Sequence, residues 1–212
     1  MLCAIFVAPF GIGAAVYLSE YAPDNRWTQT IRIAIINLAG IPSVVYGLFG
    51  LGLFVIFFNM GISILAGSLT LAIMTLPVII TTTEEALRAV PQPFRVVSRS
   101  VGATQWQTIR RIVLPQALPG IMTGVILGLE RAAGETAPIL FTAAVFFLPR
   151  LPASALDPTM ALPYHLYVIS TQVPGMSPQI QYGTALVLLL FVLGMNLFAT
   201  FIRSRARARR QW

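Results

Sequence analysis

Between Arg32 and Glu84 the chain runs for 51 residues, 33–83, without one charged side chain. As a single helix that stretch would reach about 76 Å at about 1.5 Å per residue, against a hydrocarbon core of about 30 Å. It is too long for one crossing and fits two, with Asn59-Met60-Gly61 as the turn between them. Only 10% of the 212 residues are charged and 57% are hydrophobic, whereas a soluble domain carries about a quarter charged residues. So few charges cannot solvate a globule, and so much apolar surface excludes a disordered chain. A polytopic membrane protein remains.

Residue counts remove several chemistries. All 14 basic residues are arginine, so a Walker A loop, which needs its lysine on the nucleotide phosphates, is absent. One cysteine, Cys3, and one histidine, His165, cannot build a cysteine-based zinc site or a His-pair motif. Neither an ATPase nor a metalloenzyme is expected, and no cofactor or metal. Cys3 reads as an apolar filler and His165 as an interfacial residue near Tyr164 and Tyr167.

Hydropathy predicts an all-α fold with five crossings, over about 2–18, 34–58, 62–81, 118–145 and 182–202. The arginine cluster at 203–210 acts as a stop-transfer signal and is expected in the cytoplasm. Counting back from it places 18–32 and 82–117 inside, and 59–61 and 146–181 outside. The inner segments then hold Arg26, Arg32, Arg88, Arg95, Arg99, Arg110, Arg111 and five tail arginines, the outer ones only Arg150. This bias disposes of nucleic acid as the partner of a chain of net charge +7: the arginines fix orientation against anionic headgroups of the lipid bilayer. Glu20, Asp24, Arg26 and Arg32 read as solvated charges on an inner loop.

The loop 82–117 carries a helix-start signature. Thr104 with Gln107 fits a capping box, and Gly102 breaks the helix before it. A short amphipathic helix over 103–114 follows, with Trp106, Ile109, Ile112 and Val113 on its apolar face and Leu114-Pro115 closing it. Such a hairpin offers a docking site to a soluble partner; the alternative is a basic helix lying on headgroups.

The fourth apolar segment holds Glu130, Arg131 and Glu135, with Arg131 near the middle of 118–145. A charge at mid-bilayer costs about 2.5–3.5 kcal/mol on insertion scales, so each needs a partner or water. Arg131 and Glu135 share a face at i, i+4, within the arc of Gly120, Gly124, Gly128 and Ala132, a stripe for close helix packing. Glu130 points about 100° away, toward another neighbour or a cavity. Arg131 can offer a cation to a passing anion while Glu135 positions it and balances its charge. A structural ion pair locking two helices is the alternative.

Several blocks then make the chain recognisable. Gly102, nine residues, and Ile112-Val113-Leu114-Pro115 resemble the cytoplasmic loop of ABC importer permeases. Gly40-Ile-Pro-Ser-Val-Val-Tyr-Gly-Leu-Phe-Gly50, Thr82-Thr-Glu-Glu-Ala-Leu-Arg-Ala-Val-Pro91, Gly102-Ala-Thr-Gln-Trp106 and Gly134-Glu-Thr-Ala-Pro-Ile-Leu-Phe-Thr-Ala143 are similar to the phosphate-specific permeases of the PstA type, as is Tyr17-Leu-Ser-Glu-Tyr-Ala22. The resemblance implies one permease domain with the five-helix (MetI-like) core and a cytoplasmic coupling helix, carrying phosphate and performing no catalysis itself. It implies three protein partners: an ATP-binding ABC subunit docked around Gly102, Ala103, Thr104, Trp106, Ile112, Leu114 and Pro115, a second homologous permease subunit, and a periplasmic or extracellular phosphate-binding protein. Arg131 and Glu135 match positions that the family associates with phosphate passage. Val96-Val97-Ser98 stands where the family usually has Glu-Ala-Ala or Glu-Ala-Ser, and Glu130 where it usually has a small apolar residue. The family's first N-terminal helix is expected to be missing. The rivals are a molybdate or sulfate permease, an ion-coupled secondary transporter, which would show inverted repeats, and a non-transporting scaffold, which would leave Arg131 and Glu135 unexplained.

Overall fold

A computed structural model describes residues 2–146, 148 and 150–208, with the side chains of all of these except Ala199 and 202–208. The tail arginines on which the expected orientation rests therefore lie outside the described side chains. The described chain is helical: α1 (Leu2–Tyr21), α2 (Arg26–Ala39), α3 (Ser43–Phe57), α4 (Ile64–Arg88), α5 (Gln92–Ser100), α6 (Gln105–Gly134), α7 (Ala137–Thr142), α8 (Leu162–Thr171) and α9 (Pro178–Ala208). Among the described residues, α1, α4, α6 and the first part of α9 are each long and apolar enough to cross a bilayer. The pair α2 and α3 makes a fifth span only if counted together.

α4 is the central element, packed against α1, α3 and α6. Its fit with α6 comes from small residues at four-residue steps. A Cβ on Gly120 would meet the Ala86 Cβ at 2.5 Å, one on Gly124 the Thr82 Oγ1 at 2.0 Å, and one on Gly128 the Ile79 Cγ1 at 2.9 Å. Only glycine lets the two backbones approach so closely. Thr70, Thr75, Thr81 and Thr82 donate back to carbonyls of α4 itself, so these four hydroxyls are satisfied within the helix, whereas the buried Thr83 hydroxyl has no partner among the described residues.

Three expected boundaries shift. The crossing expected over 34–58 is two helices meeting at 98°. Gly40 ends α2, Pro42 is extended with ψ 139, and the Tyr46 hydroxyl donates to the Leu38 carbonyl across the bend at 2.8 Å. At about 21 Å, α2 is too short to span alone. The crossing expected over 118–145 instead runs from Gln105 to Gly134, where the chain breaks. Leu114-Pro115 does not close a helix: a π-turn over Ile109–Val113, with the Leu114 amide bonded to the Ile109 carbonyl, widens the turn ahead of the proline, which has no N–H to give. The loop expected over 82–117 narrows to 89–104 around α5. α4 carries on past Glu84 to Arg88, which pairs with that carboxylate one turn on at 2.8 Å.

At the other end of α4, the first backbone amides find partners outside the helix. Ser63 donates to the Thr142 carbonyl, Ile64 to Asp157 and Leu65 to Ala155, at 2.8–3.0 Å, which covers donors a helix start leaves open. The Asp157 carboxylate holds that segment in place by accepting from the Ala153 and Ser154 amides, and these bonds, with Arg150 nearby, keep its pKa below the ordinary value of 3.8. No residue of Pro178–Phe198 is buried, so α9 offers most of its surface to whatever surrounds the bundle.

Candidate functional site

The positions of Arg131 and Glu135 follow from the α4–α6 register. Gly124 packs on Thr82, Gly128 on Ile79 and Thr75, and Ala132 joins Ala72 in one buried cluster. Arg131 is therefore level with the centre of the charge-free stretch 64–83 of α4. It does not sit mid-helix: α6 ends three residues later, with Glu135 extended at φ −78, ψ 134. α7 then starts with Pro138 in its first turn, where the missing N–H costs nothing. The far half of the depth is left to this short helix and the segment after it. Unwound backbone at such depth is tolerated only against protein or a water-filled cavity.

The second helix break comes to the same place. α3, just after its bend, lies along α7. A Cβ on Gly47 would stand 2.7 Å from the Phe141 ring and 3.0 Å from the Ala137 carbonyl, so the two broken elements touch through glycine. Tyr46 is buried there, within electrostatic reach of Arg131. The Arg131 Nε is 3.7 Å from the Glu135 Oε1, with the two side chains 35% and 19% exposed. That separation exceeds a hydrogen bond, so guanidinium donors remain available to an anion. Sequence reasoning missed Tyr46, although the Gly40 and Pro42 signals ahead of it mark a helix stop.

Glu130 points to α9. With its amide nitrogen turned toward the carboxylate, Asn196 donates to both oxygens at 2.5 and 2.6 Å. Of the two surroundings the 100° offset allowed, a neighbour or a cavity, this is a neighbour, and it ties the otherwise exposed α9 to α6.

The loop end of the bundle is built differently from expectation. Glu20 and Arg32 are not solvated charges. Arg32 donates to Glu84 at 2.8 Å, to Asp24 at 3.2 Å and to the Leu18 carbonyl at 2.8 Å. Arg95, on α5, holds Glu20 through two nitrogens at 2.7 and 3.2 Å. Gly102 turns the chain at φ +85, a conformation that glycine adopts without strain. Ala103 is half-buried after it, and Thr104 and Gln107 form the capping box from both sides. Trp106 is exposed. Ile112, Leu114 and Pro115 are half-buried within α6, and Leu114 packs against the cluster of Leu87, Ile109 and Val113. Within the loop 89–104, the apolar residues that face outward include Phe94, Val97 and Val101, which form one stripe beside Val96. Among the described residues no group of three or more His, Cys, Asp or Glu side chains gathers to hold a metal.

A central helix gripped through glycines, two broken helices meeting at one level and a short helix on one end make up a polytopic membrane bundle. The chain belongs to the family described as binding-protein-dependent transport system inner membrane component, whose model matches residues 8–210. Its relatives include the probable ABC transporter permease protein YqgI of Bacillus subtilis, 37% identical over 93% of this chain and 71% of that one. The phosphate transport system permease protein PstA 1 of Mycobacterium tuberculosis is 36% identical over 99% of this chain and 68% of that protein. The PstA protein of Xylella fastidiosa is 34% identical over 94% and 69%. Among solved structures, a chain of the inward-facing MetNI methionine ABC transporter superposes with a TM-score of 0.75, covering 97% of this chain and 90% of that one. At 18% identity that likeness concerns the fold: it is the ABC importer permease core.

Proposed function

We propose that this chain is a permease subunit of an ATP-driven importer that moves inorganic phosphate across the cytoplasmic membrane. The observation that carries the reading is the pair Arg131 and Glu135, held at mid-depth where two helix breaks meet, in a chain whose relatives include phosphate transport permeases. A guanidinium matches a tetrahedral oxyanion with several donors at once. Glu135 keeps the net charge of the passage low, so that the anion is released as well as bound.

The end that carries α5 faces the cytoplasm in this reading, together with the C-terminus, since exposed Arg26, Arg88, Arg99, Arg110 and Arg111 cluster there while Arg150 stands at the opposite end. A separate ATPase subunit seats on α5 and on Trp106. A second permease subunit covers the exposed faces of the bundle, and a phosphate-binding protein delivers substrate at the opposite end. Family members lack catalytic machinery, so ATP hydrolysis belongs to the partner.

The docking surface is testable with one substitution. Val97 is 63% exposed, so Val97→Asp leaves the core intact and places a charge in an apolar contact. The expected result is loss of the ATPase from the purified complex at unchanged membrane level of the permease. Normal recovery of the ATPase overturns this placement.

A further inference from the structure

Four elements meet around one buried ion pair, Glu20 with Arg95, on the loop end of the bundle. The π-turn Tyr17–Tyr21, closed by the Ala22 amide on the Tyr17 carbonyl, ends α1 and carries Glu20. Arg95 comes from α5, 75 positions on, and grips both Glu20 oxygens. The same guanidinium donates to the Val90 carbonyl at 2.6 Å and the Leu87 carbonyl at 2.8 Å, closing the C-terminal end of α4. Gln105, which opens α6, donates to the backbone carbonyl of Glu20 at 2.5 Å. The Arg95 and Glu20 side chains are only 8% and 6% exposed.

We infer that the Glu20–Arg95 pair is the positioning link through which movement of α5 is passed to α1. The inference rests on the importer reading above. On its buried face α5 reaches the rest of the protein through Arg95 and through Ser98, whose hydroxyl lies 2.8 Å from that of Thr108; the other face is the apolar stripe. Ser98 leads to α6, the adjoining helix in sequence. Arg95 alone among these contacts reaches α1, and it does so with two parallel charge-assisted bonds that fix direction as well as distance. A neutral or longer contact would let α5 slide. The bidentate fork makes α5 and the end of α1 move as one body, and α1 in turn packs on α4 at Gly11 against Ile79, the level at which Gly128 of α6 also meets α4.

The test uses the assembled complex in proteoliposomes and reads phosphate taken up per ATP hydrolysed. Glu20→Gln keeps size and removes charge. The expected result is ATP hydrolysis close to wild type with uptake per ATP down by about tenfold. Glu20→Asp, which keeps the charge and draws the carboxylate back by one methylene, gives a smaller loss of about 2- to 5-fold. An unchanged ratio in Glu20→Gln overturns the inference. If Glu20→Gln is missing from the membrane, Glu20→Asp decides, because it keeps the buried charge while loosening the fork on Arg95; an unchanged ratio there overturns it as well. A wild-type complex that hydrolyses ATP and moves no phosphate contradicts the functional reading alone. The link is then read without substrate, as the ATP-dependent change in thiol labelling of Gly134→Cys, which Glu20→Gln is expected to abolish. Labelling that responds to ATP equally in both overturns the link.

Discussion

Arg131→Ala is expected to lower phosphate uptake by about 10- to 150-fold while the protein reaches the membrane at its normal level. The fold-change is what losing a charge-assisted hydrogen bond of about 1.5–3 kcal/mol to the passing anion produces. The normal level follows from two opposed effects. The pair is loose, 3.7 Å apart, and worth only about 0.2–0.5 kcal/mol as an i, i+4 contact. Removing the guanidinium also removes an insertion cost of about 2.5–3.5 kcal/mol at mid-bilayer. Uptake measured beside membrane-fraction immunoblots checks this. A protein that disappears from the membrane would show that the pair is a structural lock.

Gly124→Ala should instead damage the fold. Its Cβ would fall 2.0 Å from the Thr82 Oγ1 and 2.9 Å from the Thr82 Cβ. Thr82 already donates to the Val78 carbonyl at 2.7 Å, so rotating the hydroxyl away gives up that bond. The remaining route is to part α4 from α6, at about 1–3 kcal/mol for overpacking, and the helices on either side of that contact carry the register that positions Arg131. Thermal unfolding in detergent is expected to drop by several degrees. Adding Thr82→Ala removes the closest atom and should restore part of the loss, a coupling expected of residues in direct contact. A variant as stable as wild type would mean that the α4–α6 contact is looser than the glycines imply.

The elements that sequence alone made legible are those with local signals. The four-residue repeat of Gly120, Gly124 and Gly128 lies against α4 as its spacing suggests, and the Thr104–Gln107 capping box forms. Arg131 and Glu135 adjoin, because i, i+4 is a local distance. What escaped is non-local or was outweighed by length. The bend between α2 and α3 has Gly40 and Pro42 at its centre, yet the apolar run continues through it and reads as one crossing. The end of α6 at Glu135 hides in the same way, since hydropathy stays high on both sides. Arg131 nevertheless ends up at mid-depth, through the register with α4 rather than through the length of its own segment. Glu20 and Arg95 could not be paired by inspection. They are 75 positions apart in loop-like surroundings, and isolated charges there default to solvent.

Phosphate is the proposed cargo, and uptake of labelled phosphate tests that most directly. The chain would replace the resident phosphate permease subunit in cells, with arsenate, sulfate and molybdate as competitors. The predicted result is uptake that requires ATP and is blocked by arsenate alone, because arsenate shares the charge and protonated tetrahedral shape of phosphate. A complex that assembles and hydrolyses ATP but takes up labelled molybdate or sulfate, with phosphate failing to compete, would contradict it.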